Sequence, residues 1–346
     1  MREPFKLGQE LIRPGTSEVV DLPISMMSDH TPATLSVMVF HGRRPGPTVF
    51  VSAAVHGDEI NGVEVIRRLA RSSRLNSLAG TLLLVPIVNS FGFIGHSRYL
   101  PDRRDLNRSF PGGARGSLAA RLAHLFMSEV VGRCSLGIDL HTAAVHRTNL
   151  PQIRIDRRSP GAEDFARAFA PPIIINSPLR EGSLRHAAGE QGVPVLVFEA
   201  GEGLRFDELS IRIGLRGVLN VLEHLKMVRP ASKRPKAVPA SSLSEKTGWV
   251  RAQEGGVLSL KVQSGGVVEK GEVIGNISDP FGSRDEPVIS NRSGLVIGHA
   301  TLPIVNQGDA LVHIAEVRRP QSATDALEKI AGEVEADPMY DEDEIL

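Results

Sequence analysis

The feature that most narrows the fold is an alternation of apolar runs and helical patterns from about residue 48 to residue 227. Residues 48–55 and 82–88 are apolar at nearly every position, and between them Val63, Ile66 and Leu69 recur at helical spacing. A run without polar alternation belongs to a strand covered on both faces, and two such strands around one helix make a βαβ unit. Residues 117–131 set Leu118, Leu122, Leu125, Phe126 and Met127 largely at helical spacing, 173–175 and 194–198 read as two more buried strands, and 206–227 as helix. One α/β/α domain follows. Residues 1–47 hold shorter alternating stretches, notably 33–40, ahead of the Gly- and Pro-rich 41–47. These predict a partly antiparallel edge and therefore a mixed sheet.

The first of these strands ends in Val55-His56-Gly57-Asp58-Glu59, just before the helical pattern. Open α/β sheets keep their ligands at that end of the strands. An imidazole and a carboxylate three residues apart suit a divalent ion such as zinc, whose catalytic sites usually take three protein ligands and leave one position for water. His141, closing the apolar run 137–141, is the best third ligand and completes a His₂Glu set. Asp139, two residues earlier on the same side of an extended strand, is placed to accept the second ring N–H of a ligand histidine. Each signal alone is weak, since one of 11 histidines is more often a satisfied surface or core residue.

Composition bounds the function classes. Forty Lys+Arg against 40 Asp+Glu leave no net charge, so no global field favours nucleic acid or an anionic membrane. The single cysteine, Cys134, excludes an internal disulfide and a Cys-based zinc cluster. The first twenty residues lack the apolar core of a secretory signal, and no run approaches the ~18 apolar residues of a membrane span. A cytoplasmic location is the expectation. A length of 346 residues suggests two domains.

A connection without clear periodicity between residues 88 and 117 carries Arg98, Tyr99, Asp105, Asn107 and Arg108, with Arg103 and Arg104 close by. Arginine matches a carboxylate bidentately, so this loop is either a carboxylate clamp or a solvated basic turn. Glu199 directly follows the apolar run 194–198, at the sheet's carboxyl edge. It suits a general base that becomes a general acid, and equally a fourth metal ligand or a helix cap.

Together, H-x-x-E after a strand, an R-Y stretch leading to D-L-N-R, D-L-H at a later strand end and F-E-A-G-E near the close of the domain resemble the succinylglutamate desuccinylase/aspartoacylase family, within the zinc carboxypeptidase-like superfamily. The resemblance spans about residues 45 to 225. It implies one zinc per chain on His56, Glu59 and His141, substrate binding by Asn107 and Arg108, oxyanion polarisation by Arg98, and Glu199 as base and then acid. Arg98 and Tyr99 stand slightly farther ahead of Asn107 than in the family pattern, and the late tyrosine of some relatives has no counterpart. Arg185, in the segment 178–186 where relatives keep a substrate-facing loop, is a candidate second anion contact or an exposed helix charge.

Residues 228–243, rich in Pro, Ser, Lys and Arg, read as a linker that closes a catalytic domain at 227. Beyond it, residues 268–277 repeat at 305–314 in their apolar, Gly and acidic positions, and each copy follows a Gly-led apolar pair, Gly248-Trp249-Val250 or Gly294-Leu295-Val296. Two such halves over 244–319 suggest a small all-β barrel-sandwich similar to biotinyl/lipoyl domains. The hairpin 278–293 has no lysine, which favours an accessory role over a carrier. Residues 320–346 end in an acidic block and read as a solvated tail. The length and the β unit look most like the N-acetyl-diaminobutyrate deacetylase branch of the family. The expected activity is zinc-dependent hydrolysis of a small N-acetyl or N-succinyl amino acid, with a carboxypeptidase-like peptidase or a non-catalytic zinc-containing binding protein as alternatives. No nucleic acid or membrane partner is expected, and a homo-oligomer is compatible with the chain.

Overall fold

The computed structural model describes residues 2–230, 241–318 and 320–335. Its centre is a mixed sheet of 13 strands. Four neighbours are parallel, Val195–Glu202 beside Leu136–Ala143, then Arg44–Ala53, then Ala79–Val85. Pro32–His41 and Thr16–Met26 extend this core antiparallel on one side, so the edge strands come from the N-terminal residues.

Alternate residues of each parallel strand feed two different cores, as the twofold repeat of a strand requires. Val49, Val51, Leu82 and Leu84 face one layer, with Val65 and Leu69 of the helix Asn61–Arg71 and Leu215 and Leu219 of the helix Glu208–His224. Phe50, Leu83 and Val85 face the other, with Leu122 and Phe126 of the helix Leu118–Glu129. Phe50 meets Phe126 edge to face at 5.7 Å, a geometry worth about 1 kcal/mol beyond burial. Both faces are covered, which explains why these strands read as unbroken apolar runs.

The other side of the sheet passes into the C-terminal unit. Arg147–Ile155 runs antiparallel to Val195–Glu202 and is joined by Gly294–Ala300, then Ala310–Glu316, then Lys246–Arg251. A second sheet of four strands, Asp285–Ile289, Val273–Ser278, Gly256–Leu260 and Ile304–Val305, closes over this end. Val250, Leu258, Ile274, Ile277, Leu311 and Ile314 fill the space between the two. The two halves of the sequence repeat thus supply matching strands to one sandwich.

Two stretches differ from a plain linker and a plain tail. Ser242–Ser244, which straddles the end of the range read as linker, is a strand parallel to Ile173–Asn176; residues 231–240 lie outside the described residues. The range read as a solvated tail begins with the helix Pro320–Glu335, on which Ala326 and Ile330 are buried and Leu327 packs near Leu150 and Leu295. An i, i+1, i+4 apolar set is enough to dock a helix even ahead of an acidic run. Among the described residues, no helix is long and apolar enough to cross a membrane.

Candidate active site

Local backbone bonds shape the turn between Arg44–Ala53 and Asn61–Arg71. Glu59 N–H closes it on His56 O at 3.1 Å, Asn89 N–H donates to Ala54 O, and Leu204 N–H donates to Asp58 O. Held this way, His56 and Glu59 point toward the next strand, where His141 ends its own apolar run. His56 Nδ1 lies 2.7 Å from Glu59 Oε1, and His141 Nδ1 lies 2.6 Å from Oε2. The three residues are buried, and one ligand atom from each falls within 4.8 Å of the others. Thr142 N–H donates to Glu59 Oε2 and orients the carboxylate.

The outer ring nitrogens are also engaged. His141 Nε2 is 2.7 Å from Asp139 Oδ2, and Asp139 in turn accepts from Ser52 Oγ. His56 Nε2 is 3.2 Å from Asp105 Oδ1. Imidazoles backed by carboxylates, with the opposite nitrogens converging on a third carboxylate, form the donor set and outer support that zinc takes. The residues fit that ion. Burial opposes charge on His56 and His141, yet Glu59 and Asp105 lift the pKa of His56, and Asp139 and Glu59 hold that of His141 well above the usual imidazole value. Burial would raise Glu59, but the two imidazoles pull it well below the carboxylate range. The centre is built to keep positive charge between buried groups. Asp139→Asn is accordingly expected to weaken zinc binding about 10–100-fold with the fold intact, as read by competition with a chromophoric chelator.

Around this centre is a cavity of about 280 Å³ that also takes in Arg98, Asn107, Arg108, Asn149, Arg154 and Glu199. Glu199 is paired in register with His141 on the adjacent parallel strand, which sets it beside the ligand group but not within it. Asn149 Nδ2 donates to Glu199 Oε2 at 2.6 Å, and Arg154 Nε lies 3.2 Å from Oε1. Arg98 grips Asp105 through Nε and Nη2 and brings Nη1 to 3.2 Å from Glu59 Oε1. Asn107 spends its side-chain oxygen on Leu184 N–H, at the start of the helix Leu184–Glu190, which aims its NH₂ group. Arg103, Arg104 and Arg108 are all exposed, but of the three only Arg108 lines the cavity.

Arg185 stands apart from the metal group. It lines an adjoining cavity of about 460 Å³ that shares Asn107, Arg154, Val197 and Glu199 with the first. Its Nη2 donates to Ser177 and Pro178 carbonyls, while Nη1 is buried without a partner. Burial, reinforced by Arg154, pushes its pKa down to about 10.

Several wall residues had no role in the sequence reading. Asn149 and Arg154 lie on a strand without an apolar run, Arg147, Trp249 and His313 come from distant segments, and behind the wall Asp105, which backs His56, stood in the loop unassigned. The only sequence signal for the distant segments was Trp249, the one tryptophan of the chain.

The catalytic-domain profile of succinylglutamate desuccinylase/aspartoacylase matches residues 45–225. The chain is 30% identical over 312 residues to N-alpha-acetyl-L-2,4-diaminobutyric acid deacetylase of Halomonas elongata, covering 86% of this chain and 90% of that protein. Among solved structures, a succinylglutamate desuccinylase/aspartoacylase from Rhodobacter sphaeroides superposes with a TM-score of 0.77 at 26% identity, covering 88% of this chain and 97% of that one. The product-bound ectoine utilization protein EutE from Ruegeria pomeroyi shares the fold with a TM-score of 0.79 at 23% identity, over 91% and 99% of the two chains.

Proposed function

Because the chain belongs to the succinylglutamate desuccinylase/aspartoacylase family, we propose that it is a zinc-dependent amidohydrolase that cleaves the amide of an N-acyl amino acid, releasing a carboxylate and a free amine. The convergence of His56, Glu59 and His141 beside Glu199, at the carboxyl ends of neighbouring parallel strands, carries the reading. The deacetylase of Halomonas elongata, similar over most of both chains, supports the same reaction class.

Zinc on His56, Glu59 and His141 would supply Lewis acidity to the amide carbonyl. The chain's own groups divide the remaining work. Arg108 and the NH₂ of Asn107 hold the substrate carboxylate and so orient the scissile bond. Arg185, with an unpaired N–H in the adjoining cavity, offers a second contact to an anionic group. Arg98, tied to Asp105, directs positive charge toward the oxygen that becomes negative in the transition state. Glu199 takes a proton from the attacking water and returns it to the departing nitrogen. Asn149 and Arg154 keep its carboxylate in place between the two transfers.

Trp249 and His313 wall the cavity from the C-terminal unit, which supports a small substrate over a polypeptide. The test is amine release from a panel of N-acetyl and N-succinyl amino acids, beside short peptides with free carboxyl termini, using zinc-loaded and chelator-treated protein. Turnover of an N-acyl amino acid is expected, lost on chelation and restored by zinc. Turnover confined to the peptides would replace the deacylase by a peptidase.

A further inference from the structure

A further cavity, of about 510 Å³, opens at the far end of the parallel strands from the metal group. Arg43 and Arg44, from the Gly- and Pro-rich stretch ahead of the first buried strand, line it where the strand Arg44–Ala53 begins. His56 follows the other end of that ten-residue strand, about 30 Å away. The remaining walls are the turn leading into Thr16–Met26, the 3₁₀ turn Ser73–Ser77, and Arg229 just past the helix Glu208–His224.

Its charge is one-sided. Arg43, Arg44 and Arg229 line it, and among the described residues no Asp or Glu does. In a chain whose charges balance at 40 against 40, that makes a local positive field. Two neighbouring acids already have partners, Glu18 in the Thr16 hydroxyl and Glu223 in Arg74. The arginines are also placed before any ligand arrives. Arg43 lies across Gly15 so closely that a Cβ there would come within 2.4 Å of its Nε. Arg44 Nη2 donates to Ser77 O at 2.6 Å, and the Arg229 carbonyl accepts from Arg74. Among the described residues, the guanidinium groups of Arg43 and Arg229 have no hydrogen bond or ion pair.

The uncharged part of the wall suits an anion as well. Backbone carbonyls that would repel one are taken up, Gly42 O by Arg2 Nη1 and His41 O by Gly15 N–H. Thr16, Ser17 and Ser77 add hydroxyl donors. His41 contributes no charge, because burial, with Arg2 nearby, lowers its pKa. One exposed ion pair is worth little against solvent screening, so a lone carboxylate would not select this cavity. Two or three anionic groups on one small molecule meet several guanidinium forks at once, and the ligand is immobilised only once.

We propose that this cavity is a second binding site, for a small molecule bearing at least two anionic groups, phosphate or carboxylate. Its volume lies within the range of small-molecule sites, which begins at about 300 Å³. The site is separate from the metal group and does not depend on the deacylase reading.

Calorimetric titration of the zinc-loaded chain with fructose bisphosphate, tricarballylate and acetate tests it, with heparin as a polymeric control. The proteins compared are the wild type, Arg43→Gln, Arg229→Gln, the double variant and Arg108→Gln. At least one multiply charged small probe should bind once per chain, about tenfold or more tighter than acetate. Affinity should fall about three- to tenfold in each single variant and about 10–100-fold in the double, as charge-assisted hydrogen bonds are lost, and should not change in Arg108→Gln. Which probe binds assigns phosphate or carboxylate, and binding of both assigns charge alone. Arg43 and Arg229 are exposed, so their variants should unfold at the wild-type midpoint. Binding of neither small probe overturns the site in the wild type alone, whatever the variants do. Affinity unchanged in the double variant, or lost in Arg108→Gln, overturns it too, the latter by putting the anion at the metal end. Heparin binding without either small probe would make the arginines a surface for polyanionic chains and also overturns the site.

Discussion

Glu199→Gln is expected to lower kcat by about a thousandfold while the protein keeps its metal content and thermal stability. Glutamine preserves the shape of the side chain and can still accept the Asn149 Nδ2 hydrogen bond, so the strand Val195–Glu202 has no reason to move. It loses the ability to take a proton. The magnitude follows from the role, because a positioned base that later serves as acid contributes to both halves of the reaction, and general acid–base terms run at about 10²–10⁴. Metal content separates the roles open to a carboxylate in this position. Glu199 stands outside the group formed by His56, Glu59 and His141, so zinc should titrate into the variant as into the wild type. A variant that turns over at the wild-type rate would sink the proton-transfer role, and one that loses zinc together with activity would make Glu199 a ligand.

How much of this was legible in the sequence depends on which solvent each residue faces. The parallel strands were readable because both their faces are buried, leaving apolar runs that need no partner to be recognised. His56 and Glu59 were readable because they stand three positions apart in one turn. The strand Arg147–Ile155 was not, for the opposite reason. Asn149, Gln152 and Arg154 interrupt its apolar positions, and Asn149 and Arg154 do so because they face the cavity. A strand that serves the site on one side loses the pattern by which strands are found. Trp249, His313 and Arg147 illustrate a second limit. They meet only because Gly294–Ala300 pairs with Arg147–Ile155 and carries the C-terminal strands alongside the catalytic sheet. No local spacing encodes that junction. The helix at Pro320–Glu335 was hidden by composition, since its short apolar set of Ala326, Leu327 and Ile330 is followed by an acidic run that dominates the reading.

The second large effect is expected at Gly57, between the proposed ligands His56 and Glu59. A Cβ at this position would lie 1.9 Å from Gly92 C and 2.2 Å from Phe93 N, far inside contact distance. Those atoms are backbone and cannot rotate away. They belong to the short helix Ser90–Ile94, which is pinned by Asn89 Oδ1 accepting from Gly92 N–H and by Ser97 N–H donating to Gly92 O. Gly57→Ala must therefore displace either this helix or the turn bearing the ligands, and the turn is also fastened on its other side by Leu204 N–H to Asp58 O. Overpacking of this kind costs about 1–3 kcal/mol. Its functional cost should be larger, because a shift of a few tenths of an ångström separates nitrogen and carboxylate atoms that must converge on one ion. Zinc affinity should fall by at least about a hundredfold, and turnover with it. Two other glycines make the result specific. Gly217→Ala would press a Cβ to 2.1 Å from the Phe169 ring on the far helix layer, and should lower the unfolding midpoint while leaving zinc binding intact. Gly95→Ala meets nothing closer than 3.4 Å and should change neither. Zinc titration and thermal unfolding of the three variants read both quantities. If Gly57→Ala binds zinc like the wild type, close backbone packing is not what holds His56 and Glu59 in register with His141.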